Sequence, residues 1–181
     1  MSKFNHYLAS LAPEGETMLF VEQVVKADGK TFWMPYYPTE EKTGALYCNT
    51  ASFIVDRFSN PRKPKAQAEN ADLVAVLVLD DIGTKSKVPP LEPTWKMTTS
   101  AGNQQWGYTF NLDNQPTKNE FSAAVKAIAA AGYTDAGMTN PVRNFRIEGS
   151  VNLKEGKGNY ISHVSDLTRS ASLRCQASVR R

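Results

Sequence analysis

Asp80 and Asp81 stand side by side at the end of an uninterrupted run of seven apolar residues, Leu73–Leu79, which Gly83 and the polar Thr84–Lys87 stretch bring to a close. A short continuous apolar run bounded by polar residues predicts a strand buried on both faces. Paired carboxylates where such a strand reaches the rim of its sheet suit a hard cation such as Mg²⁺, which takes oxygen ligands. The same two residues could equally cap a turn, because Asp favours turns for purely local reasons.

Two other stretches carry groups suited to phosphate. Ser100-Ala101-Gly102-Asn103-Gln104-Gln105 lies between two expected strands, Thr94–Thr99 and Trp106–Leu112. Such a turn offers backbone N–H groups and small side chains to a phosphate, or it is only a hairpin loop. Further on, Arg143, Asn144, Arg146 and Lys154 gather phosphate-capable donors within twelve residues,. In a strand, Arg143 and Phe145 would point one way and Val142, Asn144 and Arg146 the other. A third basic set, Arg57, Arg62, Lys63 and Lys65, surrounds two prolines. It is too proline-rich for a helix and too basic for burial, so it is either a solvated connector or a set of cations facing phosphates. Trp106, Tyr108, Phe110 and Leu112 alternate along one strand face, a pattern that favours the core over base stacking for Trp106 and Tyr108.

The elements that must hold these groups follow from periodicity. Ser2–Leu11 reads as a short amphipathic helix with Phe4, Leu8 and Leu11 on one stripe,. Met18–Val25 and Thr31–Tyr36 read as strands joined through the Asp28-Gly29 signal of a tight hairpin, with Pro35 pointing to a sheet edge,. Tyr47–Val55 is a further strand, and Pro89-Pro90-Leu91-Glu92-Pro93 a stiff connector,. Thr117-Lys118-Asn119-Glu120 is a capping box that opens a helix to about Ala131, with Phe121, Val125 and Ile128 inward and Gly132 placed to end it,. Residues 155–181 turn Gly-, Ser- and Arg-rich without clear periodicity, and a tail or linker is expected from about residue 170,.

A length of 181 residues suits one domain with a real core, here residues 1–169,. No apolar run is long enough to span a bilayer, and no basic start with an apolar stretch announces a secretory signal. Cys48 and Cys175 make no disulfide framework and suit a reducing cytoplasm; with His6 and His163 they give no zinc spacing,. The net charge of +3 conceals an asymmetry: residues 1–139 hold 13 Lys/Arg and 15 Asp/Glu, whereas residues 140–181 hold 8 and 3. A basic end beside an acidic motif suggests a polyanionic partner, although solvated surface charge produces similar imbalances.

In their order and spacing these stretches resemble the RepB-like branch of the archaeo-eukaryotic primases, the primase-polymerase domains of plasmid and phage replication proteins. Leu79-Asp80-Asp81-Ile82-Gly83-Thr84-Lys85 is similar to the first, metal-binding motif of that superfamily. Thr99–Gln105 resembles the second, nucleotide-phosphate motif, and Asp135 resembles the third carboxylate. Phe145–Lys154 is similar to the Arg-Leu-Pro-Gly-x-x-Asn-x-Lys segment that follows. The similarity spans about residues 45–160. This chain differs in three respects: its first-motif acids are adjacent rather than alternating, Gln105 stands where many relatives have histidine, and Glu148 replaces the usual proline. Adjacent strand residues face opposite ways, so Asp80 and Asp81 meet one ion only if the strand has already turned there.

The resemblance implies an α+β fold, a primase-like core with a mainly antiparallel, RRM-like sheet flanked by helices. It implies template-directed nucleotidyl transfer in phage or plasmid DNA replication, with Mg²⁺ or Mn²⁺ held by Asp80, Asp81 and Asp135. Nucleoside triphosphate would meet Ser100, Gly102, Asn103, Gln105, Arg146 and Lys154, and a single-stranded DNA template would meet Arg62, Lys63 and Arg143. Work in a bacterial host cytoplasm and partnership with a replicative helicase would follow. The chain has no Gly-x-x-x-x-Gly-Lys-Ser/Thr loop, so a helicase would lie elsewhere, in a larger protein or a separate one,. The alternative is a non-catalytic nucleic-acid-binding or origin-recognition module on the same fold; a plain interaction domain, with a turn-forming Asp pair and solvated arginines, is a third.

Overall fold

A computed structural model describes residues 2–55, 66–168 and 172–173 of the chain. The basic set Arg57, Arg62, Lys63 and Lys65 lies outside the described residues, and so does Cys175. The first helix, α1 (Lys3–Ala9), is capped by the Ser2 hydroxyl, which accepts the Asn5 amide at 3.2 Å. The spacing of Phe4 and Leu8 puts both on one stripe, and both are buried,.

Five strands then form: β1 (Glu16–Val25), β2 (Thr31–Tyr36), β3 (Ala45–Ile54), β4 (Ala71–Val74) and β5 (Val76–Ile82). After β6 (Trp95–Ser100) and β7 (Asn103–Phe110) comes α2 (Lys118–Ala130), and then β8 (Asn144–Arg146), β9 (His163–Leu167) and β10 (Ser172–Leu173). Two five-stranded sheets result. The first runs β2-β1-β3-β4, with β8 also paired to β3; the second runs β10-β7-β6-β9, with β5 paired to β7. All these pairs are antiparallel except β10 with β7. The edge position expected for Pro35 holds, since β2 closes one side of its sheet.

The apolar run is not one strand. It breaks at Ala75, whose N–H donates to Thr50 O in the first sheet at 2.9 Å and whose carbonyl accepts Phe110 N in the second at 3.1 Å. The run therefore forms the seam between the sheets, which is why Val74 to Leu79 are all buried. Continuous hydrophobicity signals burial on both faces but not which sheet each half joins.

Trp95 pins the sheets together. Its indole is fully buried, 5.2 Å from Phe4 edge-on and 5.5 Å from Phe145 in a stack. It lies so close to Gly107 on β7 that an added Cβ there would sit 1.9 Å from the ring. On the flank, α2 begins with the expected capping box, Thr117 and Glu120 exchanging hydrogen bonds. The Thr117 donors hold the Glu120 carboxyl below its ordinary pKa,. Phe121 and Val125 are the buried residues of α2, and Phe121 meets Phe110 edge-on at 6.3 Å.

Two elements were not legible beforehand. The β9 strand pairs with β6 at an edge and is mostly exposed, so it lacks the apolar alternation that marks a half-buried strand,. Ser172 and Leu173 lie beside Thr109 and Phe110, so the second sheet continues past position 170.

Candidate nucleotide site

The two sheets leave a cleft of about 370 Å³ whose lining includes Asp80, Gln105, Arg143, Asn144, Arg146 and Lys154. They come from four stretches of chain: Asp80 from β5, Gln105 from β7, Arg143, Asn144 and Arg146 from β8 and the residue before it, and Lys154 from the loop beyond. A second cleft, of about 340 Å³ beside α1, is bordered by Glu40, Glu41, Lys42 and Glu148, a lining with more acids than cations.

The strand does turn at the paired acids. Leu79 faces Trp106 and Ile82 faces Gln104, so one extra residue is accommodated as a β-bulge,. Asp81 takes it up with φ of 61°, a left-handed conformation that Asp tolerates better than most residues,. The turn separates the two carboxylates. Asp80 stays in the cleft, where its backbone N–H donates to Thr134 Oγ1 at 2.9 Å and its Oδ1 accepts the Asp81 amide at 2.8 Å. Asp81 instead accepts Asn103 Nδ2 at 3.3 Å and lies 3.4 Å from Lys85 Nζ. Its carbonyl collects the amides of Thr84, Lys85 and Ser86. Thr84 Oγ1 in turn donates to Asn103 Oδ1 at 2.8 Å. The two turns are in near contact, because a Cβ on Gly83 would lie 2.9 Å from Gly102 O.

Arg146 is the cation of the cleft. It is only 7 % exposed, and its guanidinium is held by neutral acceptors: Nη1 donates to Ser150 Oγ (3.3 Å) and Val151 O (3.0 Å), and Nη2 to Asn152 Oδ1 (3.0 Å). Asn152 passes the constraint on by donating to Thr99 O at 3.0 Å, just before the Ser100–Asn103 turn. The guanidinium also lies 5.0 Å from the centre of the Tyr47 ring,. Burial pulls the Arg146 pKa down, opposed by Tyr47 and Asp80, yet an arginine keeps its charge,. Burial likewise pushes the Asp80 carboxyl up, with the Asp81 charge adding to it; the Asp81 amide, Gln105 and Lys154 work the other way,. The result is a buried cation beside a carboxyl whose pKa is raised, in a cleft also lined by Arg143 and Lys154.

The expected site residues thus divide. Asp80, Gln105, Arg143, Arg146 and Lys154 share the cleft. Ser100, Gly102 and Asn103 form the neighbouring turn; Ser100 is buried, and its hydroxyl has no partner among the described residues. Asp135 is exposed and accepts the Gly137 amide, as the cap of a short 3-10 turn. Both Asp135 and Arg143 approach Gly137, where an added Cβ would lie 3.1 Å from either. Among the described residues no three His, Cys, Asp or Glu side chains gather closely enough to hold a metal ion, so the expected three-carboxylate cluster is not assembled. Among the described residues the cleft lining holds one carboxylate, Asp80, beside the side-chain amides of Asn49, Gln105 and Asn144, a set that suits Mg²⁺ where substrate phosphates complete its shell,.

Arg143, the residue before β8, lines the cleft with Arg146 although strand alternation sends the two to opposite sides; its carbonyl accepts Thr50 N at 2.8 Å. Its N–H donates to Thr50 Oγ1 at 2.9 Å. Arg62 and Lys63 lie outside the described residues. Trp106 and Tyr108 are buried, as alternation predicted. The cleft residues that sequence patterning missed are Trp33, Tyr47 and Asn49, with Ser150 and Asn152 behind Arg146. Trp33 sits in a strand that is apolar at almost every position, so nothing marked one face of it as open.

The arrangement is the α+β fold of an archaeo-eukaryotic primase domain. It is similar over 95 % of this chain and 92 % of the other to the archaeo-eukaryotic primase domain of the primase-polymerase of cyanophage S-2L, with a TM-score of 0.63. The sequence identity is 11 %, so the likeness is one of fold. No protein-family model matches the chain, and no curated protein matches it significantly in sequence.

Proposed function

We propose that this domain is a nucleotidyltransferase of DNA replication, adding nucleotides to a primer or starting one on a DNA template. The observation that carries this reading is the convergence of Asp80 with buried Arg146, flanked by Arg143 and Lys154, in one cleft of a primase fold. A surplus of oriented cations over one carboxylate suits a polyanion, and a guanidinium held by neutral acceptors keeps its charge for it.

In this reading Arg146 and Lys154 take the triphosphate and Gln105 orients Asp80. Ser100, Gly102 and Asn103 support the phosphates from the adjoining turn, and Asp81 fixes that turn through Asn103. Asp135 acts at the Arg143 side, and Arg143 meets the template backbone with Arg62 and Lys63. Asp80 is the carboxylate that would hold Mg²⁺ or Mn²⁺ together with substrate phosphates; the ion supplies charge stabilisation to the reacting phosphate when bound. Such a reaction would take place in a bacterial host cytoplasm, beside a helicase carried elsewhere; no described helix is long and apolar enough to cross a membrane.

Template-directed extension of a labelled primer, with Mn²⁺ or Mg²⁺, tests the reading. The parent should add the complementary nucleotide and Asp80→Asn should lose at least about 100-fold, the order of a lost transition-state contact. Equal extension by parent and variant would remove Asp80 from the chemistry. One rival is a binding module that keeps the fold, with Asp80 as the carboxylate of its cleft among the described residues. It predicts nucleic-acid binding by the parent without any incorporation.

A further inference from the structure

Of the three tryptophans, Trp95 is fully buried, Trp106 is 6 % exposed and Trp33 is 47 % exposed. Trp33 belongs to β2, the edge strand, and stands in the lining of the same cleft as Arg146 and Asp80. Its ring meets Tyr47 edge-on, with centres 4.9 Å apart. Tyr47 is itself held: its hydroxyl donates to Gln23 Oε1 at 3.2 Å, and the Arg146 guanidinium lies over its ring. Register explains the shared face. Trp33 lies opposite Gln23, and Tyr47 opposite Arg146, in antiparallel pairs whose side chains share a side of the sheet,. Phe145, the next residue along, goes to the opposite, buried side. One face of the first sheet therefore carries an exposed indole, a clamped phenol and a buried arginine in sequence, from the outer edge to the floor of the cleft.

We propose that Trp33 is a stacking platform for an unpaired base of single-stranded nucleic acid, whose backbone runs on along the cleft toward Arg143. The proposal rests on the reading of the cleft as a nucleotide site and adds the residue that receives the strand. Base–aromatic stacking tolerates any sequence, since every base has a π face, and it works alongside a basic track for the phosphates. A free nucleoside triphosphate fits less well, because Trp33 stands on the outermost strand rather than beside Asp80. Tyr47 is a positioning residue here: it presents its ring to Trp33 and to Arg146 and keeps both in place.

Trp33 supplies its own probe, since the other two indoles are shielded. The full chain is titrated at low salt with an unpaired dye-labelled dT 12-mer, following the anisotropy of the dye, and with an unlabelled 12-mer, following tryptophan emission. Both readouts should move together, while free dTTP leaves the emission unchanged. Trp33→Ala should weaken 12-mer binding by about 5- to 150-fold, the equivalent of one lost stack of about 1–3 kcal/mol. Trp33→Phe, which keeps a stacking ring, should stay within about threefold, and a thermal melt shows that both variants fold. The proposal is overturned, and the cleft reading spared, if anisotropy reports binding while emission stays still, or if folded Trp33→Ala binds like the parent. Quenching by dTTP as deep as by the 12-mer would assign Trp33 to the incoming nucleotide and also overturn it. Loss of all 12-mer binding in the parent would sink both the proposal and the reading beneath it.

Discussion

Replacing Arg146 by methionine separates binding from folding. The variant removes three hydrogen bonds, but two of the acceptors keep another donor: Ser150 Oγ accepts Leu46 N at 2.9 Å, and Asn152 Oδ1 accepts Lys154 N at 3.3 Å. Val151 O is the acceptor that loses its described donor, a cost of about 1–3 kcal/mol if it stays buried,. Against this, methionine removes a charge that burial disfavours, but it also takes away the cation that interacts with Asp80,. Folding stability should fall by about 1–3 kcal/mol, which is about 2–12 °C for a domain of this size. Affinity for phosphate should fall in the protein that remains folded. A bidentate, charge-assisted contact to a phosphate is worth about 3 kcal/mol, so KM for the nucleoside triphosphate should rise about 100-fold. Thermal melts and nucleotide titrations of the same samples decide the matter. A variant that folds and keeps the parental KM would show Arg146 to be structural only.

Gly107→Ala would drive a Cβ into the Trp95 ring, which Phe4 and Phe145 hold on other sides; a loss of about 3 kcal/mol or more is expected in a denaturant melt. Because burial raises the Asp80 pKa above its unfolded value, the carboxyl contributes stability at acidic pH that is lost as pH rises through the folded pKa,. Asp80→Asn should therefore melt higher than the parent at pH 8, with the gap closing toward pH 4; a gap that widens on acidification would reverse the assignment. Asp81→Asn, which tolerates the left-handed conformation and retains an acceptor for Asn103, should keep nucleotide incorporation within about tenfold of the parent in primer extension,.

Most of the scaffold could be anticipated because local chemistry fixed it. Ser2 and the Thr117–Glu120 box mark helix starts, and the Asp28-Gly29 turn and Pro35 mark a hairpin at an edge. The break at Ala75 could not be anticipated, since both halves of the run are equally apolar and only their partners differ. The site was legible as a set of residue types but not as a geometry. Adjacent Asp80 and Asp81 announced a turn at the sheet rim, yet the sign of φ at Asp81, which sends its carboxylate to Asn103 and Lys85, depends on the opposing strand. Arg146 was visible as a cation, but its burial depends on Ser150, Val151 and Asn152 folding back around it. Asp135 was assigned through order alone, and its local role as a turn cap is the commoner use of aspartate,.

The central claim is that the cleft between Asp80 and Arg146 receives a nucleoside triphosphate. A crystal structure of the chain with a non-hydrolysable nucleoside triphosphate and Mn²⁺, using the anomalous signal of the ion, tests it most directly. Phosphates are expected against Arg146 and Lys154, with an anomalous peak at the Asp80 carboxylate. A triphosphate bound anywhere else, or a manganese peak distant from Asp80, would contradict it.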